Sequence, residues 1–313
     1  MISRALGGTA LLVAALVVIP VTPAAADDIG WSVQPANSAT GTRSYFGYEL
    51  APGEQLTDTV RVTNRAATPT TFTVYGTDAY TTVDGGFDLL AAKTPPRDIG
   101  SWIALAAKAY TVPGNGHLDI PFRLAVPTNA SPGDHAGGVI ASVVTPGTSG
   151  DGQQVNIDRR VAARVYLRVS GPTSPSLRTE SVRVSYDGGD MTVAYQLHNT
   201  GNLRITGVSR VRITGPFGIG LARTPDAEVP ELLPGATISV TERVTGVAPA
   251  FRLDASVEVE PASADGRLPA VVRSAGVWAV PWTVLLVVLV LVAGLVAWRL
   301  VRRVRRRRAA AAA

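Results

Sequence analysis

Three histidines, His117, His135 and His198, are the side chains of this sequence best suited to metal binding or proton transfer. They lie far apart in the sequence and no cysteine accompanies them, so their spacing predicts no metal site. His117 and His198 fall on the predicted outward faces of strands, which favours a solvated surface role for both. We therefore expect neither a metal nor any other cofactor.

Catalytic signatures are also missing from the sequence. The nucleophile-elbow pattern Gly-x-Ser-x-Gly is absent, although a Ser, His and Asp arrangement of distant residues is not excluded by sequence order. Asp84 and Asp88 flank Gly85-Gly86 in a predicted hairpin turn, where a carboxylate is typical of the turn itself. The sequence favours a protein that is not an enzyme.

The most distinctive segment is residues 126–142, which combines a strand end, a Pro-Gly turn, a polar pair and a buried strand. The polar pair is Asp134-His135, and Gly137 and Gly138 follow it. Glycines at such positions let another backbone or a ligand come close. The segment is therefore a candidate binding element, provided that strands on both sides hold it in place.

The elements that must position this segment are predicted to be strands. Runs rich in Val, Thr, Ile and Tyr are punctuated by 31 glycines and 22 prolines, a pattern typical of many short strands. The clearest strand is 117–126, in which Pro121 on the outward face indicates an edge or a bulge. We predict an all-β fold of two tandem immunoglobulin-like β-sandwich domains, with an open barrel as the alternative for either. Similar alternation predicts strands over 56–63, 70–75, 161–169, 191–198 and 253–260.

Domain boundaries follow from composition. A proline-stiffened segment, Gly-Pro-Thr-Ser-Pro-Ser, separates two strand-rich regions, and a polar stretch containing glycine and proline follows the second. The predicted layout is a first domain at 27–170, a linker at 171–176, a second domain at 177–262 and a stalk at 263–276.

The N-terminal residues 1–26 resemble a cleaved secretory signal peptide. Arg4 precedes an apolar stretch over 5–19, and the small residues Ala24-Ala25-Ala26 form a cleavage site. An uncleaved first membrane helix is the alternative. The apolar core is short for a membrane span, and prolines follow it, which favours the signal peptide.

At the other end, residues 277–298 form an uncharged apolar run that a basic tail at 299–313 follows directly. As a helix, these residues would span about 33 Å, which matches a bilayer core. The positive-inside rule then predicts a single-pass protein of the cell membrane, with extracellular domains and a cytoplasmic C-terminus. The residues expected at the membrane interface are Trp278, Trp282, Trp298, Arg299, Arg302 and Arg303.

The basic balance of the whole chain does not predict nucleic-acid binding. Arg4 and seven arginines of the tail are eight of the 29 basic residues, which leaves 21 basic against 24 acidic residues, or about −3, outside the membrane. No basic patch within that part of the sequence indicates a phosphate backbone as partner.

Three segments together with 126–142 carry a resemblance to a known family: Leu50-Ala51-Pro52-Gly53, Val60-Arg61-Val62-Thr63-Asn64 and Asp98-Ile99-Gly100-Ser101-Trp102. Over about residues 29–170 the sequence resembles the WxL-interacting-protein, peptidoglycan-binding domain family. The resemblance implies a first immunoglobulin-like domain associated with peptidoglycan, a second associated with WxL surface proteins, and a C-terminal anchoring helix. Here the second domain matches only in position and general type.

The resemblance makes peptidoglycan the expected partner, and sugar polymers are held by aromatic rings with nearby planar polar groups. In the alternative interpretation, Trp102 belongs to the core and Asp134 caps a turn.

The expected function is a non-enzymatic surface protein that binds peptidoglycan and scaffolds at the cell wall. Its alternatives are an adhesive module that binds another surface protein through the second domain, and a wall hydrolase. The candidate binding residues are Asp98, Trp102, Asp134, His135, Gly137 and Gly138.

Overall fold

The computed structural model describes residues 30–36, 41–150 and 152–311, with side chains described up to residue 303. The predicted signal peptide at 1–26 lies outside these residues. Most of the described chain is β-strand, and its one long helix is at the C-terminal end, so the all-β prediction with a C-terminal apolar helix is confirmed.

The first part of the chain forms two sheets that face each other. One sheet has the strand order β1-β3-β8-β6, and the other has the order β2-β10-β9-β4-β5 with β7 also paired to β4. All pairs are antiparallel except β2 with β10, which are parallel. The elements are β1 Trp31–Pro35, β2 Phe46–Leu50, β3 Gln55–Asn64, β4 Thr70–Thr81, β5 Phe87–Leu89, α1 Ile99–Trp102, β6 Ile103–Leu105, β7 Ala109–Val112, β8 Gly116–Ala125, β9 Gly133–Thr148 and β10 Gln154–Val169.

The core of this first domain lies between its two sheets, as the alternating pattern predicts. Val60 and Val62 of β3 and Phe72 of β4 are fully buried in it. Pro121 of β8 pairs with Thr59 of β3. On its other side, β8 pairs with β6 only over residues 122–124, so the missing N–H of Pro121 interrupts no ladder with β6.

The second part of the chain repeats the two-sheet packing. One sheet has the order β11-β12-β16, and the other has the order β14-β13-β17-β18, with β15 paired to β13 and β19 paired to β17. Met191, Val193, Tyr195 and Leu197 of β12 all point into its core. The elements are β11 Leu177–Asp187, β12 Asp190–Asn199, β13 Ile205–Thr214, β14 Gly220–Arg223, β15 Ala227–Leu232, β16 Thr237–Val244, β17 Phe251–Ser263, β18 Gly266–Arg267 and β19 Val271–Ala279.

The predicted stalk at 263–276 is not what the structure contains. A short hairpin with β18 follows β17, and β19 then pairs along β17 from Val259↔Val271 to Phe251↔Ala279. The polar residues that resemble a stalk in the sequence face outward on an edge strand, which explains the difference. The second domain therefore continues to residue 279 and leaves no flexible spacer before the helix.

The C-terminal helix, α2 Trp282–Ala311, begins five residues later than the predicted span at 277–298. Its segment Trp282–Arg303 has a mean hydropathy of 2.8 and is not buried within the described structure, so it is long and apolar enough to cross a membrane. Only Val280 and Pro281 separate β19 from this helix.

Candidate functional site

Asp98, Trp102 and His135 meet at the surface of the first domain, and we call them the Asp98–Trp102–His135 cluster. The His135 Nδ1 lies 2.7 Å from Asp98 Oδ1, and its Nε2 lies 2.9 Å from the Ser131 carbonyl oxygen. The indole of Trp102 lies against the imidazole with ring centroids 4.9 Å apart. The structure thus brings together three of the candidate residues from two separate segments.

The short helix α1 presents Asp98 and Trp102, and glycines allow it to pack closely on β4 and β9. A Cβ on Gly100 would lie 2.3 Å from the Thr77 carbonyl carbon, and one on Gly137 would lie 2.5 Å from the Thr77 oxygen. A Cβ on Gly138 would lie 2.8 Å from Leu89 Cδ1. Gly137 and Gly138 therefore admit neighbouring backbone and side chains, and the space beside them is already filled.

Asp78 of β4 holds the start of α1, and sequence analysis missed it. Its Oδ2 accepts the backbone N–H groups of Arg97 and Asp98 at 2.6 and 3.0 Å, and its Oδ1 accepts that of Gly100 at 2.7 Å. This buried carboxylate satisfies donors that would otherwise be unpaired at the helix start. The sequence signal for this role of Asp78 is an aspartate in a Thr-rich strand that precedes a Gly-containing loop.

His135 has a structural role within the cluster. Its side chain is 9% exposed and both ring nitrogens have partners, which leaves little of it for a ligand. Burial works to lower the pKa of His135, but the hydrogen bond and charge of Asp98, with the Ser131 carbonyl, outweigh it and raise the pKa above 6.5. The Asp98 side chain is 43% exposed, and Trp102 is partly exposed while it also packs against the core of the first domain. These two residues form the accessible part of the cluster.

Asp134 does not join the cluster, because successive residues of a strand point to opposite faces. Its side chain is 3% exposed and faces the second domain, where Arg168 Nε donates to Oδ1 at 2.9 Å. The backbone N–H of Arg204 donates to Oδ2 at 2.9 Å. Burial works to raise the pKa of Asp134, but Arg168 and Arg204 together lower it below 3.8. Asp134 is a domain-interface residue and not a turn cap.

Further contacts join the two domains beside Asp134. The Tyr166 hydroxyl donates to Glu231 Oε2 at 2.8 Å, and the Arg204 guanidinium lies 4.1 Å from the Tyr166 ring centroid. Asn202 Nδ2 donates to the Pro132 carbonyl at 2.9 Å. Tyr166 also packs with Leu233 in a small apolar cluster between the domains. Arg168 reaches Asp265 of the second domain as well, so polar and apolar contacts both fix the interface.

The second domain has a cleft that sequence analysis did not predict. Its volume is about 740 Å³, and its charged lining residues are Glu228, Glu231, Glu260 and Arg267. Glu231 is paired with Arg204, and Glu260 is paired with Arg210. Pro230, Pro261, Leu268 and Ala270 supply an apolar lining between β15 and the β17–β18 hairpin. A cleft with an apolar lining and a few polar groups has the character of a binding site.

The predicted membrane-interface residues lie in two different elements. Trp278 belongs to β19, whereas Trp282 begins α2. Trp298 lies near the other end of the helix, with the Arg302 guanidinium 5.2 Å from its ring centroid. Arg299 and Arg303 belong to the same helical end. Among the described residues, no group of three or more His, Cys, Asp or Glu side chains could hold a metal ion.

No protein-family model matches the sequence, and no curated protein matches it. Among solved structures, a chain of the chaperone–tip adhesin complex of CFA/I fimbriae biogenesis is similar at 10% identity and TM-score 0.40, over 78% of this chain and 97% of that one. The class 5 fimbriae chaperone CfaA gives 12% identity and TM-score 0.38, over 80% and 99%. The YadV chaperone gives 10% identity and TM-score 0.36, over 80% and 100%. At these values no function follows, and the WxL-interacting-protein resemblance stays a prediction.

Proposed function

We propose that this chain is a non-enzymatic surface protein with two tandem immunoglobulin-like domains, anchored in the cell membrane by α2, whose first domain binds peptidoglycan. In this proposal the domains lie outside the cell and the arginine-rich tail lies inside. The first domain is the one further from the anchor along the chain, so it is the one that scaffolds at the wall.

One observation carries the proposal: contacts continue without a flexible segment from the membrane helix to the first domain. β19 is fully paired with β17 and ends two residues before α2. The interface at Asp134, Arg168 and Arg204 then joins the second domain to the first. A rigid support of this kind suits a protein that holds a binding surface at a set distance from the membrane.

The Asp98–Trp102–His135 cluster is the proposed contact with the wall polymer. Trp102 offers a partly exposed indole, which can stack on the apolar face of a sugar ring. Asp98 offers a carboxylate that can accept hydrogen bonds from sugar hydroxyls, and His135 holds that carboxylate in place. The cluster contains one accessible carboxylate, that of Asp98, whereas glycoside hydrolysis uses a pair of carboxylates, so the cluster fits binding better than hydrolysis.

Co-sedimentation of the full-length protein in detergent micelles with isolated sacculi tests this function. We expect the protein to pellet with sacculi and Trp102→Ala to weaken pelleting. Tyr110→Ala is the matched control, because Tyr110 is another partly buried aromatic residue packed against the same core. Failure of the wild-type protein to pellet, when a known wall binder does, would refute peptidoglycan binding. Release of soluble muropeptides would instead favour a hydrolase.

A second candidate function, binding of another surface protein through the second domain, is favoured by the apolar-lined cleft at Pro230, Pro261 and Leu268. Cross-linking in intact cells would test it, with Leu268→Glu to block the cleft and Val272→Glu as the control on the neighbouring edge strand. Loss of one stoichiometric protein partner only in Leu268→Glu supports this function. An unchanged set of partners in both variants contradicts it.

A further inference from the structure

We propose that the end of the second domain next to α2 is itself a lipid-binding surface, which rests in the interface of the membrane that α2 crosses. We call it the membrane-facing end, and it consists of Phe217, Ile219, Phe251 and Trp278 with the residues between them. This inference rests on the membrane helix and does not depend on whether the first domain binds peptidoglycan.

Large apolar side chains are exposed together at this end. Phe217, in the 3₁₀ turn Pro216–Gly218 between β13 and β14, is fully exposed, and Ile219 is 60% exposed. Phe251 at the start of β17 is 49% exposed, and Trp278 near the end of β19 is 69% exposed. A soluble domain gains nothing by presenting several such side chains to water, so their grouping indicates a contact surface.

Strand register places these residues at the level where the chain enters the helix. Thr214, the last residue of β13, pairs with Asp254 of β17, and Asp254 pairs with Gly276 of β19. Phe251 pairs with Ala279, two residues before the helix begins. The turn that carries Phe217 extends beyond Thr214 in the same direction and contacts the start of β17.

The width of the surface follows from sheet geometry. Strands lie about 4.8 Å apart, so the edge from β14 across β13 and β17 to β19 spans roughly 14 Å. The helix leaves from the β19 side of this edge after Val280 and Pro281, with Trp282 as its first residue. Because this connection is so short, the bilayer surface is the partner that the chain itself brings to the edge.

Backbone conformation supports a functional reason for these aromatic residues. Phe217 has φ 61° and ψ 19°, and Phe251 has φ 63°, both in the left-handed region that favours glycine or asparagine. Bulky residues in this conformation are strained, and strain of this kind concentrates at functional contacts. Two strained phenylalanines at one end of one domain point to a selected contact with an apolar medium.

The polar groups beside Trp278 are Arg252 and Asp254, whose Nε and Oδ1 atoms lie 3.4 Å apart. The Arg252 guanidinium lies 5.9 Å from the Trp278 ring centroid. Tryptophan and arginine together are typical of the membrane interface, where an aromatic body lies among acyl chains and a cation lies at the phosphates. An amphipathic surface of this kind buries its apolar groups by roughly 5–10 Å at the boundary of headgroups and acyl chains.

The chain contains no cysteine, so single-cysteine labelling of the full-length protein tests the proposal directly. Phe217→Cys, carrying an environment-sensitive fluorophore, is placed in nanodiscs of phosphatidylcholine and phosphatidylglycerol. We expect blue-shifted emission and quenching by a nitroxide-labelled lipid. The quenching constant for aqueous iodide should be several-fold lower than that of a water-exposed label. Val144→Cys, at a 59% exposed position of the first domain, is the matched control and should remain fully accessible to iodide.

Iodide quenching at residue 217 equal to that at residue 144, without quenching by the labelled lipid, would overturn the proposal. An Ile219→Cys label gives a second reading at a neighbouring exposed position whose replacement relieves no backbone strain. The same water-exposed result there also counts against lipid contact. Binding of the same nanodiscs to sacculi is scored separately, so failure of the wall proposal leaves this result unaffected.

Discussion

The carboxylate of Asp134 accepts a hydrogen bond at 2.9 Å from the backbone N–H of Arg204, although the two residues belong to different domains. Arg168, on the strand paired with that of Asp134, donates to the same carboxylate and also reaches Asp265 of the second domain. This buried acid is thus one of several contacts that join the two domains. The interface depends on this charge because Asp134 is nearly fully buried, whereas both arginines remain partly exposed.

Replacing Asp134 by alanine should weaken the coupling between the two domains. Arg168 and Arg204 would lose a shared buried partner, although Arg168 keeps Asp265 and Arg204 keeps Glu231. Removing hydrogen bonds to a buried charge costs on the order of 2–3 kcal/mol of unfolding free energy. We expect chemical unfolding of Asp134→Ala to begin at lower denaturant concentration and to split into two transitions. Arg223→Ala, which removes an exposed i,i+3 ion pair with Asp226, is the control and should cost at most about 0.5 kcal/mol. Equal losses in both variants would contradict a special role for Asp134.

The stability of the first domain should decline as pH rises through the range in which His135 titrates. The folded pKa of His135 is raised above 6.5, so its protonated form stabilises the fold. That contribution is fully present below pH 6.5 and is lost as pH rises through the raised folded pKa. Asp134, whose pKa is lowered below 3.8, contributes stability that is fully present above pH 3.8 and is lost only as the pH falls through its lowered folded pKa, so it does not affect the decline at higher pH. Asp98→Asn should flatten the decline, which unfolding free energies measured across this range would reveal.

An unchanged slope in Asp98→Asn would mean that Asp98 does not control the protonation of His135. His135→Gln provides the complementary control, because it removes the titrating group and keeps a hydrogen-bonding side chain. The decline above pH 6.5 should then disappear whatever residue occupies position 98.

Alternation in the sequence was sufficient to predict which strand faces are buried. Val60, Val62 and Phe72 lie in the core because period-two patterning reflects burial on one face of a sheet. The same reasoning could not place Asp134 and His135, since adjacent strand residues point apart and only the domain arrangement decides what each meets. Asp98 and Trp102 reach His135 through the packing of α1 on β4, a contact between distant segments that no local pattern encodes.

The end of the second domain differs from its sequence-based prediction for a related reason. Residues 271–279 form an edge strand with one exposed face, and their polar and small residues resemble a stalk when read without their partner β17. Trp278 likewise seems to open the membrane helix in sequence, yet the helix begins at Trp282. A soluble fragment of the two domains should therefore extend to residue 280, because an earlier end would cut through β19.

Gly100→Ala should destabilise the first domain strongly. An added methyl group would lie 2.3 Å from the Thr77 carbonyl carbon, so α1 or β4 must shift. Overpacking of this kind costs about 1–3 kcal/mol or more, and it would also disturb Asp98 and Trp102. Gly150→Ala, where nothing lies within 4 Å of an added Cβ, is the matched control and should leave thermal unfolding unchanged. A Gly100→Ala protein as stable as the wild type would show that α1 packs less closely than its glycines imply.

Phe217→Asn should increase stability while it weakens contact with lipid. Asparagine tolerates the left-handed conformation that Phe217 adopts, so the substitution should gain about 1 kcal/mol of unfolding free energy in detergent micelles. Ser181→Asn, at another exposed position with φ 53°, is the matched control and should gain stability without any effect on lipid contact. Contact is read from a fluorophore at Ile219→Cys in nanodiscs, which should become more accessible to iodide only in Phe217→Asn. A gain in stability with unchanged accessibility would mean that the strain at Phe217 has no connection with the membrane.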